Sequence, residues 1–399
     1  MKPYWRLWTS DGLSNLADGV LKVAVPLIAV GLTRDPAVIA GLGVAFTLPW
    51  LLCALPAGAM VDRLDRRRAM LAANATRGAL LLVLLCIPLL GEHELWALYA
   101  VALCVGVTET IYDTAAQSIV PQIVDRDLLP RANGRLYAVE LMANEFAGPP
   151  LAGLLVGVGT MAAFGAPIAL WAAAVTVLAT LPGRFKVERP EPTTLRADIA
   201  EGLRFLLRQP ILRTFTVATA LFNLATSATF AIIVLYAVGP KSPMGLSEET
   251  YGLLLTSTAV GSLLGSLLAE RIEHWLGRAR ALQFSFIISA VTIAVPTVTT
   301  NPVTVGIGLF TGSAGVMVTN IVMVSLRQRI TPDRLLGRLN STHRLVAWGT
   351  KPLGAALGGA LAATIGVRPV FAVAAALPLL AVIGLARLSD RRLNSAGRI

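Results

Sequence analysis

Twelve stretches of mostly apolar residues, each long enough to span a bilayer as a helix, constrain this chain more than any other feature. They fall at approximately 10–32, 37–60, 69–90, 95–120, 134–158, 161–182, 211–238, 250–270, 280–299, 303–326, 341–364 and 368–388. Crossing the hydrocarbon takes about twenty residues at about 1.5 Å of rise each, and a helix satisfies its backbone polar groups where water is absent. Composition agrees: of 399 residues 55% are hydrophobic and only 14% charged, with a mean hydropathy of +0.69. Soluble chains average about 25% charged, so this one lacks the charge to cover a water-facing surface. The expected fold class is an all-α membrane protein of twelve transmembrane helices.

A net charge of +11 and a pI near 10.2 would suit nucleic acid if the basic residues formed a face on a soluble fold. They cluster instead in alternate loops: Arg63, Arg66, Arg67 and Arg68; Arg126, Arg131 and Arg135; the stretch from Arg184 to Arg213; Arg271, Arg278 and Arg280; Arg327, Arg329, Arg334 and Arg338. The opposite loops hold only Arg34, Lys241 and Arg368. Basic residues near helix ends favour the cytoplasmic side. The even number of spans then puts both termini in the cytoplasm, and no nucleic-acid partner is expected.

The longest predicted loop, 183–210, divides the helices six and six. After the charged stretch KVERPEPTT, Leu195, Ile199, Leu203 and Leu206 recur at helical spacing with Arg196, Asp198, Glu201, Arg204 and Arg208 between them. This pattern suits an interfacial amphipathic helix that tethers two halves. The halves repeat each other. A shift of 208 places Leu13, Asn15, Leu16 and Ala17 on Leu221, Asn223, Leu224 and Ala225, and a shift of 207 places Ile123, Leu128, Leu129, Arg131 and Asn133 on Ile330, Leu335, Leu336, Arg338 and Asn340. The expected organisation is a six-helix bundle over 1–182, a linker over 183–210, and a second, pseudo-symmetric six-helix bundle with a short tail over 211–399. Parallel repeats of this kind recur in transporters that bind substrate near the membrane midplane, where the repeats meet.

Other classes lack their chemistry here. No Gly-rich phosphate loop ending in Lys-Ser or Lys-Thr, no G-x-S-x-G and no H-E-x-x-H occurs. Cys53, Cys86 and Cys104 sit irregularly inside apolar runs, which suits packing rather than a disulfide framework or a zinc site. No catalytic residue, metal or cofactor is expected.

Between predicted helices two and three lie Gly58, Ala59, Met60, Val61, Asp62, Arg63, Leu64, Asp65, Arg66, Arg67 and Arg68. This segment resembles the loop signature of the major facilitator superfamily, with Asp65 in place of the usual second glycine. The resemblance implies a cytoplasmic gate in which Asp62 meets a helix end and Arg63 or Arg67 pairs with an acid, by position Asp113; alternatively, Arg66 and Arg68 only set topology. Predicted helix five carries Gly148, Pro149, Pro150, Leu151, Ala152 and Gly153, similar to the glycine-proline motif of exporter branches. Close helix packing and a proline bend are expected there. Asn15 to Gly19, the loop from Val120 to Asn133 and the central ADIAEGLRFLLRQPILR resemble the subgroup of macrolide-efflux permeases and enterobactin exporters. That resemblance spans almost the whole chain. It implies a monomeric transporter of the bacterial inner membrane, with a small molecule, protons and the lipid bilayer as its partners.

Asp18, Lys22, Glu109, Glu140, Glu145, Arg344 and Lys351 fall inside apolar runs, with Arg77 and Asp113 nearer the cytoplasmic ends. Each charge costs about 2.5–3.5 kcal/mol at a helix centre, so they should face the protein interior, paired or wetted. Asp18, Glu145 and Lys351 count out near midplane, Glu109 and Glu140 closer to the cytoplasm. The repeat maps Asp18 to Thr226, Glu109 to Val316 and Asp113 to Asn320, so these acids belong to one half. Asp18, then Glu145 and Glu109, are candidates for proton coupling; a permanent Asp18–Lys22 pair at i, i+4 is the alternative. Asn15, Lys22, Asn144, Asn223, Asn320, Trp348 and Lys351 are candidates to line a substrate cavity, though the asparagines could equally bond between helices. Proton-driven export of a small amphipathic molecule, uptake of a polar solute and a non-transporting sensor are the three functions compatible with this pattern.

A phosphatase reporter that is active only outside the cytoplasm should be active when fused after Lys241 and inactive after Pro190. The reverse pattern would place both termini outside.

Overall fold

The computed structural model describes residues 2–61, 64–86, 94–125, 128–185, 195–331, 333–390 and 393. They form α1 (Lys2–Leu32), α2 (Pro36–Val61), α3 (Arg66–Cys86), α4 (Glu94–Ile123), α5 (Leu129–Leu141), a π-helical turn (Met142–Ala147), α6 (Gly148–Val158) and α7 (Thr160–Ala179). There follow α8 (Leu195–Arg208), α9 (Pro210–Ala237), α10 (Glu248–Leu276), α11 (Arg278–Val298), α12 (Pro302–Ile330), α13 (Asp333–Ile365) and α14 (Val367–Leu385). Eleven segments are long and apolar enough to cross a membrane, with α5, the π turn and α6 counted as one. The twelfth predicted run lies in α13, whose charged first half and Lys351 among glycines keep it below the apolarity of the others.

Several helices start at side-chain caps. Asp35 Oδ1 accepts from the Ala37 amide at 2.8 Å ahead of α2, and Asp65 Oδ1 accepts from the Arg68 amide at 3.1 Å ahead of α3. Asn301 caps α12 through the amides of Val303 and Thr304, with Pro302 at the first helical position.

Two compact units are present, one of Met1–Glu188 with Ala237–Thr256, the other of Arg189–Tyr236 with Ser257–Ile399. In the first, α3 packs on α4 and α7; in the second, α11 packs on α12 and α14. The sequence repeat is thus a repeat of packing. Glycines set the closest approaches in both: Gly106 of α4 lies against the Phe46 carbonyl of α2, and Gly261 and Gly265 of α10 lie against Phe310 and Ala314 of α12. The predicted amphipathic segment is α8. Its Leu206 is buried with Leu212 and Leu339, so α8 docks on α13, while Leu203 is exposed.

Predicted helix five differs from a simple proline bend. Pro149 and Pro150 have no amide proton to donate, so the ladder widens before them and the Gly148 amide bonds to Ala143 O, five residues back. The turn packs backbone to backbone on α1, where a Cβ on Gly19 would meet Asn144 Cα at 2.8 Å and one on Gly148 would meet the Gly19 carbonyl carbon at 2.8 Å.

Gly106→Val should lower stability by about 1–3 kcal/mol by forcing α4 from α2, whereas Gly78→Ala, with nothing within 4 Å of the added Cβ, should not. Thermal unfolding of the purified protein in detergent checks the contrast.

Candidate functional site

Helical spacing places Ser14 and Asp18 on one face of α1, and Asn74 and Arg77 on one face of α3. These faces meet at a buried ion pair: Arg77 Nη1 lies 3.0 Å from Asp18 Oδ2, with side-chain exposures of 0% and 2%. The same nitrogen donates to Ser14 Oγ at 3.3 Å and to Asn74 Oδ1 at 3.2 Å, while Arg77 Nε donates to Thr108 Oγ1 of α4 at 3.2 Å. Ser14 Oγ in turn donates to Asn74 Oδ1 at 3.0 Å. Two aromatic faces flank the guanidinium, Tyr112 at 5.3 Å and Trp171 at 5.8 Å to the ring centroids.

One turn further along α1, Lys22 Nζ meets Glu109 Oε1 of α4 at 2.8 Å. Lys22 is 40% exposed and Glu109 10%, so this second pair opens to the unit's surface while the first is sealed. The expected Asp18–Lys22 alternative is therefore not what forms: each takes its partner from another helix. The long side chain of Arg77, read from the sequence as nearer the cytoplasmic end of its helix, reaches Asp18.

The Asp18–Arg77 contact is not bidentate. Among the described residues Asp18 Oδ1, Arg77 Nη2, Asn74 Nδ2, Tyr112 Oη and Trp171 Nε1 are buried with no hydrogen-bond partner. A carboxylate held through Oδ2 with Oδ1 open can take up a proton on Oδ1 without displacing Arg77 from Oδ2.

The second unit fills the same places with neutral groups. Thr226, the counterpart of Asp18, bonds back to Phe222 O at 2.9 Å. Aligning Arg66 with Arg278, the first residues of α3 and α11, puts Ser289 opposite Arg77, and it bonds back to Ser285 O at 2.8 Å. The charges belong to one repeat only.

The other sequence candidates divide. Asn144 Nδ2 donates to Asn15 Oδ1 at 2.7 Å and joins the π turn to α1; Asn223 Nδ2 donates to Ala347 O at 2.7 Å and joins α9 to α13. These asparagines bond between helices. Lys351 Nζ lies 4.6 Å from the Trp348 ring centroid, both half-buried, and Asn320 is exposed on α12. Glu145 is exposed on the π turn. Gly148, Pro149 and Gly153 are buried in α6, and Gly153 is so close to the Glu248 carbonyl that a Cβ would collide.

For the loop motif, Gly58 lies in α2, and Asp62 and Arg63 fall outside the described residues. Arg67 does not pair with Asp113 of α4. Its Nε donates to Leu178 O at 3.1 Å and its Nη2 to Ala179 O, so it caps the carboxyl end of α7, where exposed carbonyls attract a cation. Asp65, where the signature has glycine, joins the same corner through the Phe185 amide at 2.8 Å.

Arg77→Met should cost about 3–5 kcal/mol, because it strands Asp18 in a dry site, and Asp18→Asn in the same chain should recover most of the loss. Lys22→Ala should cost less than Arg77→Met, since its pair is partly exposed on the lysine side. Denaturation midpoints of the four proteins in detergent check this order.

The sequence profile of the transmembrane secretion effector family matches residues 2–397. The enterobactin exporter EntS of Salmonella choleraesuis (strain SC-B67) is 27% identical over 356 residues, 88% of this chain and 83% of that protein. The multidrug efflux pump Tap of Mycolicibacterium fortuitum is 28% identical over 390 residues, 92% of this chain and 90% of Tap. In fold, the chain is similar to a crystal structure of a bacterial homologue of the iron transporter ferroportin, with TM-score 0.77 at 18% identity, covering 97% of this chain and 98% of that one. The nucleoside transporter NupG gives TM-score 0.75 at 12% identity, covering 98% and 100%. With this fold, eleven to twelve spans and a family match over almost its whole length, the chain is a multi-pass membrane transporter of small molecules, not an enzyme, and belongs to the transmembrane secretion effector family of major facilitator transporters.

Proposed function

We propose that the protein exports a small amphipathic molecule in exchange for protons, by alternating access of two halves, 1–182 and 211–399, tethered by 183–210 with both termini in the cytoplasm. The observation that carries this reading is the Asp18–Arg77 pair: a sealed carboxylate with one oxygen open, present in one repeat and replaced by Thr226 and Ser289 in the other. A charge that served only to hold helices together would be needed in both repeats. A charge that binds and releases a proton is needed once.

Glu109, paired with Lys22 at the more open end of the same seam, is the second member of this proton site. Lys22 beside it is a half-exposed cation able to attract an anionic group of the cargo. Lys351 and Trp348 offer a cation and an aromatic face in the other repeat. Export, rather than uptake, is supported by the named activities of EntS and Tap and by the Gly148, Pro149 and Gly153 motif. The cargo class is accordingly a siderophore or a lipophilic antibiotic. Glu145, exposed on the π turn, is not assigned a proton-coupling role.

The test is substrate-dependent proton movement in inverted vesicles, followed with a pH-sensing dye over a panel of siderophores and antibiotics. At least one compound should dissipate the gradient with wild type and none with Asp18→Asn. Equal responses would make Asp18 structural; a response requiring the compound inside rather than outside inverted vesicles would indicate uptake.

A further inference from the structure

A second acid on α1 stands outside the network described so far. Asp11 is seven residues, two helical turns or about 10 Å, before Asp18 and on the same face. It is 6% exposed, as enclosed as Glu109, yet among the described residues no Lys, Arg or His forms an ion pair with it. Asp18 on α1 itself, Tyr112 on α4 and the exposed Glu140 on α5 face it, and Tyr4 of α1 lies within reach of both Asp11 and the Arg135 cation of α5. Tyr112 is fully buried, with its hydroxyl beside Asp11 and its ring on the Arg77 guanidinium. Tyr112 therefore touches both acids' surroundings. Asn15, between the two acids, is committed to the Asp11 carbonyl and to Asn144, so it offers Asp11's carboxylate no charge. The counterpart of Asp11 in the other repeat is Thr219, which bonds back to Phe215 O at 2.9 Å. Asp11 and Asp18 are thus lost together in the second repeat.

Burying a carboxylate beside two other acids with no cation in contact is far more costly than burying it beside Arg77, and the neutral acid avoids that cost. We propose that Asp11 is a further proton-binding carboxyl of this transporter, beyond Asp18 and Glu109, placed on α1 between the Asp18–Arg77 pair and the amino-terminal end of the helix. Asp18 keeps a cation in contact whether or not it is protonated; Asp11 has none and gains by holding its proton. Two acids of unequal surroundings on one face, with the Tyr112 hydroxyl beside them, provide two proton positions along the route from the middle of α1 toward its amino-terminal end. This inference rests on the reading of Asp18 as a proton site.

Infrared spectroscopy of the purified protein in lipid, titrated with acid and base, reads protonated carboxyls through their C=O stretch and needs no cargo. Asp11→Asn should remove one component of the wild-type band, Asp18→Asn a different one, and the double variant both, with proton uptake on acidification falling by one per protein in each single variant. Asp11→Glu should keep a component at a shifted frequency, which serves if Asp11→Asn does not fold. An Asp11→Asn or Asp11→Glu spectrum that overlays wild type throughout the titration would overturn the proposal. An unchanged Asp18→Asn spectrum beside a changed Asp11→Asn spectrum would refute the Asp18 reading alone.

Discussion

Everything in the first repeat is arranged around one expensive act, the burial of Arg77 and Asp18 where neither is reached by water. Two charges removed from solvent stabilise a fold only if they neutralise each other and find further hydrogen bonds. Arg77 finds three more, to Ser14, Asn74 and Thr108, and two aromatic faces. Those partners come from α1, α3, α4 and α7, so a single side chain specifies how four helices meet. The apolar cluster of Leu7, Met70, Ile119 and Leu178 packs the same helices without any such selectivity. In lipid, apolar contact between helices has little driving force of its own, and polar contacts and close backbone packing decide which faces associate.

The second repeat shows what the architecture needs when no Asp18–Arg77 pair is present. Thr226, Ser289 and Thr219 return their hydroxyls to their own helices, and glycines do the rest: Gly354 and Gly358 of α13 lie against the Leu224 and Ala228 carbonyls of α9. Small residues and satisfied hydroxyls suffice to build a six-helix repeat. The second repeat reaches the same packing without such a pair, which is the physical ground for giving the pair a task beyond packing. Its position next to the π turn has a further consequence. That turn lies against α1 through Gly19 and Asn15, so the helix bearing Asp11, Asp18 and Lys22 is seated on the least regular segment of the unit. π turns inside longer helices often coincide with functional sites.

Much of this was legible before any coordinates. The all-helical membrane fold of eleven to twelve spans, the helix over Leu195–Arg208 and the confinement of buried acids, among the described residues, to the first repeat follow from apolar runs and from two nearly equal sequence shifts. The pairing was not. Asp18 and Lys22 at i, i+4 suggest a local ion pair, and Arg67 near an acid suggests a gate contact; in the folded chain Asp18 goes to Arg77, Lys22 to Glu109 and Arg67 to the carboxyl end of α7. Asp11 was visible in the sequence as well, but its place at the start of the first apolar run gives no sign that α4 and α5 close over it. Ser14 with Asp18 and Asn74 with Arg77, each one turn apart, were the available hints.

The sequence by itself determined which segments are apolar enough to cross a bilayer, because transfer of each helix depends on the summed apolarity of about twenty consecutive residues, a local quantity. Only the tertiary structure decided which charge meets which. That choice depends on helix rotation and on approach distances set by Gly19, Gly106 and Gly148, residues far apart in the chain. A buried ion pair is sensitive to differences of about one ångström in separation, whereas a hydrophobic run is not.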